Sequence, residues 1–146
     1  MSAAAPFQRL VYYSRNEVDG DADALDAAID EILSLSQRNN AQADVTGALL
    51  FNTGCFGQVL EGPRRAVEAT FERIQRDPRH SDVTLLAFET TDARAFPNWS
   101  MAYVGAKPAQ AVRYNEIAAS SGFDPSRMTA NRLLETLHGL AMEKEA

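Results

Sequence analysis

The sequence of 146 residues predicts an α+β fold in the order βαββαββ, a mixed sheet with two helices on one face. Three observations carry this. Short β-rich segments with period-2 alternation are interrupted twice by stretches of helical period. Each helical stretch stands between two strands, so right-handed crossovers place both helices on the same side of the sheet and bring the first and third strands together at its centre. Thr53-Gly54 turns the chain between two strands of a hairpin, and Gly62-Pro63 falls where strand period gives way to helical period.

The first strand is FQRLVYYS, residues 7–14, with Leu10, Tyr12 and Ser14 on one face and Arg9, Val11 and Tyr13 on the other. An acidic loop follows, in which Asp21 or a neighbouring aspartate caps a helix whose apolar positions Leu25, Ile29, Ile32 and Leu33 run to about Asn39 or Asn40. ADVTGALLFN is the second strand, and CFGQVLEG returns as the third after Thr53-Gly54. Gly62-Pro63 ends this hairpin and opens a second helix with proline in its first turn. Val67, Phe71 and Ile74 form its inward stripe, and it stops near Asp77-Pro78. DVTLLAFET is a fourth strand and WSMAYVG a short fifth. The other sheet face needs a cover. VRYNEIAAS, weakly helical, and a stronger helix striped by Leu133, Leu137 and Leu140 after Asp124-Pro125 supply it. The organisation is therefore a domain over residues 7–105 and a C-terminal helical extension over 106–146.

Charged residues make up 23% and the formal net charge is −6, an acidic balance that argues against a phosphate backbone as direct partner and so against nucleic acid. Cys55 is the single cysteine, and with His80 and His138 it matches no zinc spacing, so no metal is expected. Aspartates of DGDADALDAAID fall in a calcium-loop frame, but Ala24 stands where glycine is required. No signal-peptide core or apolar run of about 18 residues occurs, which reads as a cytoplasmic protein without a membrane partner.

Candidate chemistry lies on the helix-facing side of the sheet. Gln58 shares a strand face with Phe56 and Leu60, and burying its amide without partners costs roughly 1–3 kcal/mol. Along the first helix, Ser36, Asn39 and Asn40 fall within about 60° of Leu25 and so continue its apolar stripe. Taken alone, the two asparagines are readily explained as helix capping. With Gln58 and Tyr12 on the same side, however, these polar groups need more partners than they can give one another, and a planar polar ligand satisfies them all.

Five separated motifs in order, RLVYYS, SQRNNAQADVTGALLF, FGQVLEG, RIQRDPRHSDV and RAFPNWSM, resemble the BLUF family, blue-light sensors that hold FAD non-covalently. The resemblance runs from about Arg9 to Gly105. It implies a ferredoxin-like fold with the flavin ring between the two helices, Tyr12 as the photoactive tyrosine and Gln58 as the switching glutamine. It further implies Asn40 as partner of the flavin's carbonyl and N3 edge, with Ser36, Asn39, Arg79 and His80 as supporting contacts. Trp99 and Met101 match a strand that changes environment on illumination. The tyrosine two positions before serine is Tyr12, and alternation sends Tyr13 to the other face.

The expectation is a photoreceptor and not an enzyme: light drives electron and proton transfer from Tyr12, and Gln58 rearranges its hydrogen bonds. The signal leaves through an unidentified downstream protein partner or a change in a homo-oligomer. The rival readings are an interaction module of the same fold and a non-photoactive flavin-binding protein. A flavoenzyme is disfavoured, since no G-x-G-x-x-G fingerprint occurs.

Overall fold

The computed structural model describes residues 7–17, 22–52, 55–97, 102–104 and 129–145. Among them the chain forms β1 (Phe7–Asn16), α1 (Ala22–Ala43), β2 (Thr46–Asn52), β3 (Cys55–Gly62), α2 (Arg64–Gln75), β4 (His80–Thr91), β5 (Ala102–Val104) and α3 (Ala130–Glu145). The strands make one sheet in the order β4-β1-β3-β2-β5. β1 runs antiparallel to β3 and β4, and β2 antiparallel to β3, while β5 joins β2 in parallel, so the sheet is mixed as predicted. β1 and β3 lie side by side, with Leu10 opposite Leu60, Tyr12 opposite Gln58 and Ser14 opposite Phe56.

Alternation along these strands builds two cores. Leu10, Tyr12, Leu49, Phe56 and Leu60 pack with Ile29 of α1 and Val67 of α2 on one face. Val11, Ala48, Leu50 and Val59 pack on the other with Phe96 and with Leu133 and Leu137 of α3. The expected cover is therefore present in α3, and each fully buried leucine in it contributes about 1.5–3 kcal/mol. VRYNEIAAS, the Thr53-Gly54 turn and the side chain of Leu140 lie outside the described residues. β2 approaches β3 so closely at Gly47 that a Cβ there would stand 1.9 Å from the Val59 carbonyl oxygen. No described helix is long and apolar enough to cross a membrane.

Three boundaries differ from the sequence reading. α1 continues through the helix-favouring Ala41-Gln42-Ala43 and ends where Asp44 turns left-handed, φ 59°. The Val45 N–H then bonds the Asn40 carbonyl at 2.8 Å, the pattern of a Schellman cap with Asp44 in the place glycine usually takes. Pro63 lies at the N-cap, just outside α2, with ψ 138°. β4 begins at His80, paired with Asn16, two residues before Asp82; register shifts and a left-handed Asp82, φ 51°, interrupt its pairing with β1.

Candidate functional site

Between α1, α2 and the sheet lies a cavity of about 190 Å³. Its floor is the sheet, through Tyr12, Leu49, Phe56 and Gln58. One wall is the inward stripe of α1, through Ile32, Leu35, Ser36, Asn39 and Asn40. The other is the end of α2 and the entry to β4, through Thr70, Arg73, Ile74, Asp77, Arg79 and His80. Tyr12, Ser36, Asn39, Asn40, Gln58, Arg79 and His80, all singled out from the sequence, thus meet around one space. Trp99 and Met101 lie outside the described residues.

The α1 polar stripe is not the helix cap. Asp44 and Val45 cap α1 through the backbone carbonyl of Asn40, a residue that is 1% exposed and lines the cavity. On the floor, Tyr12 and Gln58 are 2% and 3% exposed. The Tyr12 hydroxyl donates to Gln58 Oε1, so the NH2 of the carboxamide stands on its other arm. Burial, with a smaller contribution from the negative charge of Asp77, pushes the Tyr12 phenol well above its ordinary value. The phenol accordingly keeps its proton through the neutral range. Its ring packs against Phe71, centroids 5.4 Å apart, and edge-on to His80 at 6.3 Å.

His80 ties three elements together. One ring nitrogen, Nε2, faces the Ile74 carbonyl at 2.5 Å, and Nδ1 faces the Ser14 hydroxyl at 2.7 Å. A carbonyl only accepts, so Nε2 carries a proton that it donates to Ile74. Arg79 grips Asp77 with Nε at 2.9 Å and Nη2 at 2.5 Å. Partial burial pushes the Asp77 carboxyl upward, but the hydrogen bonds and charge of Arg79, with a further contribution from His80, hold it below the usual carboxylate range. Sequence reasoning missed Thr70, Arg73 and Asp77. Thr70 was within reach, since its hydroxyl interrupts the same α2 stripe as Val67 and Ile74, as Ser36 and Asn40 do on α1.

A family model described as sensors of blue-light using FAD matches residues 7–102. The chain belongs to the BLUF family. Over 68 residues it is 44% identical to the blue light- and temperature-regulated antirepressor BluF of Escherichia coli (strain K12), a match that takes in 47% of this chain and 17% of that protein. Its fold is similar to BlsA in the ground state, with TM-score 0.76 and 28% identity over 92% of this chain and 87% of that one. It is also similar to the dark state of BlrB, a BLUF protein, with TM-score 0.68 and 32% identity over 94% and 98% of the two chains.

FAD is the cofactor that defines the BLUF family, and the cavity's lining fits it. A flavin ring is flat and apolar on its faces and carries alternating acceptors and donors along one edge. The cavity offers Ile32, Leu35, Leu49, Phe56 and Ile74 as apolar walls and the amides of Asn39, Asn40 and Gln58 as groups that both donate and accept.

Proposed function

We propose that Tyr12 and Gln58 are the photoactive pair of this BLUF chain, with Asn40 and Asn39 holding the polar edge of the flavin and Ser36, Arg79 and His80 supporting it. The single observation that carries this reading is the buried Tyr12–Gln58 hydrogen bond in the floor of the cavity. FAD, when bound, absorbs blue light and in its excited state accepts an electron and a proton. Tyr12 can supply both, since its phenol is an oxidisable ring that holds its proton at neutral pH. Gln58 has a donor and an acceptor on opposite arms of one carboxamide. A rotation or tautomer change exchanges them at constant volume, so the pattern of hydrogen bonds can reverse without repacking the core. Phe56 and Leu60 on either side of Gln58 are buried, which keeps water from competing for those bonds.

The chain is read as a sensor without turnover chemistry, working in the cytoplasm. Residues 7–105 form the photosensor unit and 106–146 its extension. The signal passes by way of Trp99, Met101 and α3 to a downstream protein or to a change in a homo-oligomer. The name of one relative, an antirepressor, supports a protein partner. The visible spectrum of the FAD-loaded protein before and after blue light tests the reading. A small reversible red shift is expected, and a flavin band that light leaves unmoved would overturn it.

Asn40→Ala is expected to weaken FAD retention by roughly 1–3 kcal/mol, the range for losing a buried hydrogen-bond partner. Titration of the apoprotein measures it. Because Asp44 and the backbone close α1, the helix should persist in the variant. Equal affinity in variant and parent would remove Asn40 from the binding site.

A further inference from the structure

We propose that Asp82, an exposed residue outside the cavity, is a positioning residue of the light-sensing site: its left-handed backbone forms a β-bulge that turns His80 to the cavity side of the sheet. The part His80 plays in the cavity rests on the flavin reading above, whereas its placement by Asp82 stands on the register of two strands.

Tyr13 pairs with Thr84 and Arg15 with Ser81. Two steps along β1 are therefore matched by three along β4, and Asp82 and Val83 together stand opposite Ser14. This is a bulge of one extra residue. Asp82, at φ 51°, has the left-handed conformation that glycine usually supplies in such bulges. Beyond the bulge Asn16 pairs with His80. Asn16 alternates in phase with Ser14 and Tyr12, so His80 faces the cavity, where its nitrogens meet Ser14 and Ile74. Carried on one for one from Tyr13 and Thr84, the same pairing would set Asp82 against Arg15, Ser81 against Asn16 and His80 against Glu17. His80 would then share the face of Tyr13 and Arg15, away from the cavity, because a slip of one residue sends a side chain to the opposite face.

Asp82 acts through its backbone. Its carboxylate stands 3.7 Å from the Arg15 guanidinium with both side chains well exposed, a contact that contributes little. The Thr84 hydroxyl donates to the Asp82 carbonyl at 3.2 Å, across the turn of the bulge. Aspartate and asparagine enter the left-handed region more readily than other side chains, whereas a β-branched residue is an outlier there. A bulge also blunts β4 as the terminal strand of the sheet. The register shift between Val11 and Tyr12 does that equally, and protecting an edge does not require His80 to face the cavity.

The experiment compares Asp82→Gly, Asp82→Asn, Asp82→Val and deletion of Asp82 with the parent and with His80→Ala, by NMR of the imidazole N–H groups and by titration with FAD. The chain has 2 histidines, so His80→Ala assigns the His80 signal directly. The Nε2 proton held by the Ile74 carbonyl should give a resonance sheltered from solvent exchange in the parent. Asp82→Gly and Asp82→Asn should keep it, since both residues enter the left-handed region. The deletion should keep it too, because removing the extra residue leaves His80 opposite Asn16 by count. Asp82→Val should lose it and weaken FAD binding about fivefold, as His80→Ala does. Combining Asp82→Val with His80→Ala should weaken binding no further than either change alone. A His80 resonance kept in Asp82→Val, or lost in Asp82→Gly or in the deletion, would overturn the proposal. The last two decide it even where Asp82→Val does not fold. FAD affinity unchanged in His80→Ala would overturn the part of His80 in the flavin reading and leave its placement by Asp82 standing.

Discussion

Replacing Tyr12 with phenylalanine should yield a protein that still holds its flavin, fluoresces for longer after excitation and forms no red-shifted state in blue light. The ring remains and so does its packing against Phe71 and His80. What is lost is the hydroxyl that donates to Gln58 Oε1, with a cost to stability of about 1 kcal/mol. The functional loss is much larger than that figure, because the same hydroxyl is the source of the transferred proton and the ring the source of the electron. Time-resolved fluorescence measures the first consequence. A lifetime as short as the parent's would transfer the donor role to another residue, with Tyr13 and Trp99 the next to be tested.

Glu61→Leu should have the largest effect on stability, about 3–5 kcal/mol, through a buried carboxylate that does not touch the cavity. Glu61 is fully buried. It accepts from Arg9 Nε at 2.8 Å and from the backbone N–H groups of Ala95 and Phe96, each at 2.9 Å. Leucine is close in volume but leaves a guanidinium and two N–H groups without these acceptors. Glu61→Gln keeps one carbonyl oxygen and should lose less. Urea denaturation distinguishes these cases, and a change under about 1 kcal/mol in Glu61→Leu would show that water replaces the carboxylate. The consequence reaches beyond stability. The segment Glu61 fixes leads into Trp99 and Met101, and Phe96 within it is buried and meets His138 of α3, ring centroids 5.8 Å apart. One carboxylate on β3, three residues from Gln58, thus holds the stretch that joins the sheet to its C-terminal cover. Arg94 ties the same stretch to the start of β2, bonding Thr46 Oγ1 at 3.0 Å and the Asp44 carbonyl at 2.9 Å.

Much of this arrangement is legible in the sequence, for identifiable reasons. Strand alternation placed Tyr12 and Gln58 on one face, and the crossover rule placed β1 beside β3, so their pairing followed without coordinates. Helical period put Ser36, Asn39 and Asn40 on the inward stripe of α1. It could not decide between a cap and a cavity wall. That choice depended on Asp44 adopting a left-handed conformation, which a non-glycine residue does not announce. Glu61 carried a signal that was not used. It alternates with Gly57 and Val59 on a face predicted to be covered, and a carboxylate there requires buried partners. The early start of β4 was hidden because Pro78 and Asp82 both look like breakers, whereas His80 is held at the head of the strand by the Ile74 carbonyl at the end of α2 and by Ser14 of β1, which is remote in sequence.

The central claim is that a hydrogen-bond exchange at Gln58, set up by Tyr12, produces the light response. Its most direct test is the light-minus-dark absorption difference spectrum of FAD-loaded Gln58→Leu beside the parent at matched flavin content. Leucine approximates the volume of glutamine and can neither donate nor accept. The account predicts a reversible red shift in the parent and none in Gln58→Leu with the flavin still bound. A red shift of the parent's size in the variant would contradict it.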